Sequence, residues 1–257
     1  MMSIPPNTDE NPPHISMERV ITALNEGEIE TEIGMLRWSS NRAFLLTVQH
    51  KEVTVEGVYK PQSGERPLWD FREGTLCLRE YASFLTSQVL GWQLVPPTAL
   101  RTLNYGLGTL QFFIAHDPNI HYFTWDEELK AELDPQLRRL CLFDLIVNNA
   151  DRKGGHCLLD AENHLWGIDH GITFHAQNKL RTVIWDFVEQ PLSNDEREPL
   201  EQLLQKLCDL ESVYRQALDK LLHISEIEAF VVRIQRLLKS NQFPLPRGDI
   251  NYPWPPV

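Results

Sequence analysis

The sequence is poor in cysteine and lacks any long apolar run. Its four cysteines, Cys77, Cys141, Cys157 and Cys208, form no C-x-x-C pair, which argues against a disulfide framework or a structural zinc site and leaves them as reduced core residues. No stretch of about 18 apolar residues offers a membrane span. The opening segment, MMSIPPNTDENPPH, has neither a basic cluster nor an apolar centre. It does not read as a signal peptide, so a cytoplasmic location without integral membrane association is expected. Basic residues are outnumbered, 24 Lys and Arg against 36 Asp and Glu, for a net charge of −12. That balance opposes nucleic acid and anionic lipid, both of which call for basic surface. G-x-G-x-x-G and H-E-x-x-H are also missing, and with them the simplest signatures of a glycine-rich phosphate loop and of a zinc hydrolase.

What is present describes an α+β chain of 257 residues, a length compatible with two lobes sharing a cleft. Both ends are rich in proline. Residues 1–15 read as a disordered tail, and 243–257 as an extended one with Tyr252 and Trp254 placed to staple it to the body. A helix over Met17–Asn25, capped by Ser16, precedes three strand-like runs, Ile29–Trp38, Arg42–Gln49 and Val53–Tyr59. Thr75 opens a helix to Leu90 with an apolar stripe of Leu78, Tyr81, Leu85 and Val89. Leu94–Leu100 and Gly108–Ile114 read as strands, the first at a sheet edge because of Pro96-Pro97. Pro135 opens a long helix. Three amphipathic helices, Glu198–Cys208, Leu210–Leu222 and Glu226–Lys239 with Ser225 as a cap, close the body.

The chemistry concentrates in residues 143–171, FDLIVNNADRKGGHCLLDAENHLWGIDHG. A helix ends near Asn149, Gly154-Gly155 lets the chain turn sharply, and Cys157–Leu159 and His164–Ile168 flank Asp160-Ala161-Glu162-Asn163 as a hairpin. The hairpin returns Asp169 to the neighbourhood of Asp151 and His156. Upstream, Glu80 lies among Leu76, Cys77 and Phe84 at helical spacing, where an unpaired carboxylate is costly and a cation is called for.

The order of a strand Lys in Val58-Tyr59-Lys60-Pro61, a helix Glu, an Asp loop in D-R-K-G-G-H and a later D-H-G resembles the protein-kinase superfamily. The D-R loop resembles most the atypical branch of phosphatidylinositol 3- and 4-kinases and HipA-like kinases, in particular a bacterial phosphatidylinositol 3-/4-kinase-like family. The resemblance implies a small antiparallel β-sheet lobe over 16–114 with one main helix, and a mostly helical lobe over 115–242. It implies transfer of the ATP γ-phosphate to a hydroxyl acceptor, lipid, protein or small molecule, which the sequence leaves open along with oligomeric state. By the same resemblance, Asp151 orients or deprotonates that hydroxyl and Lys153 neutralises the transferred group. His156 and Asp169 hold Mg²⁺ or Mn²⁺, and Lys60, fixed by Glu80, binds phosphate oxygens. Ser39 and Ser40 stand where a turn covers the phosphates, and Gln111, Phe112 and Phe113 where a hinge meets adenine.

Several letters depart from the usual pattern. No His-Arg precedes Asp151, His156 replaces an Asn, His170 replaces the Phe of Asp-Phe-Gly, and Ala-Pro-Glu is missing. An imidazole suits softer cations than Mg²⁺, which predicts better use of Mn²⁺. Two alternatives stand beside the phosphotransferase: a nucleotide-binding pseudokinase serving as an interaction module, and a metal-dependent hydrolase drawing on His170 and His175.

Overall fold

The computed structural model describes residues 15–35 and 41–257; Ser39, Ser40 and almost all of the 1–15 tail lie outside them. Apolar and polar residues alternate along β3 (Val53–Pro61), burying Val53, Val55, Tyr59 and Pro61 on one face. That period of two sets Tyr59 and Lys60 on opposite sides of the sheet. Together with β1 (Glu28–Met35), β2 (Phe44–His50), β4 (Thr98–Leu103) and β5 (Gly106–Phe112), β3 forms an antiparallel sheet in the order β1-β2-β3-β5-β4. Helix α1 (Met17–Glu26) packs Val20, Ala23 and Leu24 on the Tyr59 face. Helix α2 (Leu76–Leu90) covers the other face.

The helical lobe comprises α3 (Glu127–Val147), the short hairpin β6 (Cys157–Leu159) and β7 (Leu165–Gly167), then α4 (Asn194–Cys208), α5 (Val213–Leu221) and α6 (Ile224–Ser240). Two lobes in this element order make the bilobal α+β fold that the kinase resemblance implies. No helix of the described residues is long and apolar enough to cross a membrane.

Several elements differ from the sequence reading for local reasons. Strand β4 starts at Thr98, not Leu94, because Ser87 Oγ takes the N–H groups of Leu94 and Val95 at 2.9 and 3.2 Å and the two prolines have none. It does lie at the sheet edge. Helix α3 starts eight residues before Pro135, since Asp126 caps it by accepting from Leu129 N at 2.8 Å and Pro135 is accommodated inside. Ser16 makes no side-chain cap to α1. Helix α6 is capped by His223, whose ring accepts from Ser225 N, so Ser225 is already inside the helix.

The stripe foreseen for α2, Leu78, Tyr81, Leu85 and Val89, is only half-buried. The deeply buried positions include Arg79, Glu80, Ser83, Thr86 and Ser87 instead. The reason is that α2 is sandwiched between the sheet and the helical lobe. Arg79 Nη2 reaches Glu226 Oε1 at 2.6 Å, Ser83 meets Thr173 at 3.2 Å, and Thr86 meets the Tyr214 hydroxyl at 2.7 Å. Its first turn is capped from outside: Glu65 accepts from Leu76 N and Cys77 N at 3.1 and 2.8 Å, a role the sequence assigned to Thr75. Cys77, Cys141 and Cys157 are buried free thiols, but Cys208 is exposed.

Gly108 makes the Lys60 end of the sheet possible. It sits opposite Pro61, and a Cβ there would meet the Lys60 carbonyl and lie 2.7 Å from Pro61 Cα. Gly108→Ala is therefore expected to force β5 away from β3 at a cost of about 1–3 kcal/mol. Urea unfolding checks this; an unchanged midpoint would mean that the strands part freely.

Candidate active site

The site is built on a buried polar hub at the end of α3. Asn148, in the left-handed conformation with φ +57°, ends the helix and turns the chain back on itself. This return brings Arg152 onto Asp144, both with side chains 0% exposed: Nε donates to Oδ2 at 2.9 Å and Nη2 to Oδ1 at 3.0 Å. The remaining donors are used as well. Nη1 donates to the carbonyls of His156 and Ile168, each at 3.0 Å, and Nη2 to His170 Nε2 at 2.6 Å. Asn149 completes the hub, donating to Asp144 Oδ1 at 2.9 Å and accepting from Asp151 N at 3.0 Å. One guanidinium thus ties together the Asp151 loop, the strand entry at His156 and the Asp169 loop. Arg152 is thus a structural residue, and nothing in the sequence marks Asp144, one position of a helix, as its counter-charge.

His170 fills the place of a Phe. Its Nε2 accepts from Arg152, its ring meets Phe143 edge-on at 5.3 Å, and burial beside Arg152 holds its pKa well below the usual range. It is a neutral packing residue of the hub. His175 bonds the Asp70 carbonyl at 2.9 Å. Neither is grouped with other ligands, and among the described residues no set of three His, Cys, Asp or Glu is placed to hold a metal ion.

Three elements converge in front of the hub. From β3, Lys60 Nζ lies 2.6 Å from Glu80 Oε1 on α2 and 2.5 Å from Asp169 Oδ1. Burial opposes the lysine charge, but the two carboxylates outweigh it and raise its pKa. Glu80 is held from behind by Thr109 Oγ1, which donates to Oε2 at 2.9 Å. Thr109 was missed in the sequence, although β5 pairs it directly with Lys60. Asp169 adopts φ +58°, a conformation asparagine and aspartate tolerate better than other non-glycine residues. Its side chain stays 46% exposed, yet Lys60 overcomes the cost of burial and holds its carboxyl well below the usual carboxylate range.

His156 Nδ1 donates to the Asp151 carbonyl at 2.9 Å, which leaves the Nε2 lone pair 3.4 Å from Asp169 Oδ2. Burial lowers its pKa to about 4, against the pull of Asp169. Two acceptors therefore face each other across a gap that a shared cation would satisfy, so the donor set fits a divalent ion with two protein ligands. Burial pushes Asp151 up to about 6 despite Lys153, whose Nζ is 3.8 Å from Asp151 Oδ2. These groups line a cleft of about 420 Å³ that also includes Arg42, Arg66 and, from the tail, Val257.

The hinge residues sit apart from this cluster. Gln111 is buried and its side chain donates to Thr98 Oγ1 at 3.0 Å. The Phe112 and Phe113 N–H groups donate to the carbonyls of Pro97 and Glu56 at 2.7 and 3.0 Å. The donors a hinge would offer adenine at these two residues are already engaged. The tail follows expectation at Tyr252 but not at Trp254. Asn251, not Trp254, is its staple, donating to the Leu180 carbonyl at 2.7 Å and accepting from Arg247 N at 2.7 Å. Trp254 is 89% exposed, Tyr252 stands 6.2 Å from the Trp185 ring, and Pro256 accepts from Gly154 N at 2.8 Å beside the Asp151 loop.

No family model matches the sequence. Among solved structures, the chain is similar to the crystal structure of the Helicobacter pylori proinflammatory kinase CtkA, with a TM-score of 0.48 and 14% identity over 85% of this chain and 94% of that one. It is 36% identical over 267 residues to protein Rv2133c of Mycobacterium tuberculosis, a match that spans 90% of this chain and 93% of the relative. At that identity and near-complete coverage, the chain belongs to the family of Rv2133c.

Proposed function

We propose that the protein is an ATP-dependent phosphotransferase that moves the γ-phosphate to a hydroxyl acceptor. The observation that carries this reading is the convergence of Lys60, Glu80 and Asp169, 20 and 109 residues apart from Lys60 in sequence, on one ammonium group. An isolated surface lysine has no need of two carboxylates from two lobes; a lysine that must be aimed at phosphate does. In this reading Lys60 binds phosphate oxygens, Glu80 and Thr109 keep it extended, and Lys153 neutralises charge on the transferred group. Asp151 takes the proton of the acceptor hydroxyl. Asp169 and His156 would hold a divalent cation, which supplies charge neutralisation of the phosphates when bound.

Calorimetric titration with a non-hydrolysable ATP analogue, in Mg²⁺, in Mn²⁺ and in chelator, tests the proposal. Binding is expected to require metal, to be tighter with Mn²⁺ because one ligand is an imidazole, and to vanish in Asp169→Ala. Metal-independent binding, or none in the folded wild type, would remove the proposal.

A further inference from the structure

Away from the cleft, a second concavity of about 470 Å³ lies on the helical lobe between α6, the end of α3 and the tail. Its volume falls in the range of small-molecule sites. Its charge is unlike that of the cleft, where four Lys and Arg side chains stand against four carboxylates. The second concavity is lined by Arg233, Arg236 and Arg247 and by no Asp or Glu. Arg233 and Arg236 are neighbours on one face of α6, and Arg247 comes from the tail that Asn251 fastens beside it.

Two of the three cations, Arg236 and Arg247, are exposed, and Arg233 is half-buried. Arg236 and Arg247 have no ion-pair partner among the described residues, whose arginine bridges lie elsewhere. Arg233 donates Nε to the Ile146 carbonyl at 2.7 Å and Nη1 to the His175 carbonyl at 3.2 Å, but its Nη2 is buried with no partner among the described residues. Burial, only partly offset by Glu226, pulls its pKa down to about 10. An unsatisfied buried guanidinium donor is costly, and like charges gathered together cost more. In a chain of net charge −12, these arginines line a concavity without a facing carboxylate among the lining residues. The remaining wall is apolar, with Leu145, Leu180, Trp185 and Leu245.

We propose that this concavity is a binding site for a small soluble phosphate monoester with an apolar or aromatic body. The phosphate would take the exposed guanidinium groups of Arg236 and Arg247, which suit its paired oxygens, with Arg233 adding positive charge from behind, and the body would lie against Trp185 and the leucines. The overall negative charge disfavours an anionic lipid surface as the source. This site is independent of the phosphotransferase reading.

The test is a titration of the full chain with phenyl phosphate, followed by the indole N–H resonance of Trp185, identified with a Trp185→Phe variant. A saturable shift is expected in the wild type and, undiminished, in Lys60→Met. Arg236→Gln/Arg247→Gln removes no side-chain bond made among the described residues and should weaken binding by at least about tenfold. Benzyl alcohol, which has the ring without the charge, should not saturate at the same concentration. No saturable shift in the folded wild type, an unchanged affinity in the double variant, or loss of the shift in Lys60→Met would each overturn the proposal. The last would place the anion in the cleft.

Discussion

Asp151→Asn is expected to lower phosphoryl transfer by roughly 10²- to 10⁴-fold, the range of a positioned general base, while leaving binding of the ATP analogue nearly unchanged. The asparagine keeps the backbone bonds of the loop, including the Asp151 carbonyl that orients His156, and removes the proton acceptor together with the charge that faces Lys153. Burial pushes the Asp151 carboxyl up to about 6, so wild-type turnover should rise as the pH passes through about 6 and level off above it. Stability runs the other way. A carboxyl whose pKa is raised by folding favours the folded state while protonated, and that contribution is lost as the pH climbs through about 6. The asparagine variant cannot ionise, so its Tm at pH 7 should equal or exceed that of the wild type. Lost turnover with a retained Tm isolates the chemical role. Turnover within about threefold of wild type would show that Asp151 is not the proton acceptor.

Asp144→Ala is expected to cost about 3–5 kcal/mol of stability, because it strands the Arg152 guanidinium in a site with no solvent access. The damage should spread to nucleotide binding, since the same guanidinium holds the carbonyls of His156 and Ile168 and so the loops that carry both candidate metal ligands. Asp144→Ala/Arg152→Met should recover part of the lost stability by removing the orphaned charge, yet leave the loops unheld and binding poor. Urea unfolding paired with analogue titration separates the two effects. A single-variant cost below about 1 kcal/mol would mean that the hub is not what holds the loops.

The sequence exposed one half of this site well. Lys60 and Glu80 were legible together because a carboxylate among Leu76, Cys77 and Phe84 demands a cation and the kinase resemblance pairs it with the strand lysine. Asp151, His156 and Asp169 were legible because a two-residue glycine turn and a hairpin leave few ways to fold, and each brings the three together. The other half was hidden. Asp144 reads as a polar interruption in an apolar helix, and nothing in the letters says that the left-handed turn at Asn148 returns Arg152 to it. Thr109 is one threonine in a strand until the β3–β5 register sets it opposite Lys60.

By itself, then, the sequence determined the alternation that splits β3 into a packing face and a lysine face, the compact D-R-K-G-G-H turn, and the chemical types gathered at residues 143–171. These are local matters of backbone freedom and side-chain periodicity. Tertiary structure alone decided which face of α2 is buried. Helical periodicity marked the apolar stripe, but the helix is wedged between two lobes, and the side chains that reach both, Arg79, Ser83 and Thr86, are polar because they must bond across the junction. It also decided that the tail crosses the body to fasten at Asn251 and reach the Asp151 loop at Pro256. Such contacts join residues up to 147 positions apart, and their partners are chosen by packing of the whole chain, which no local window of sequence contains.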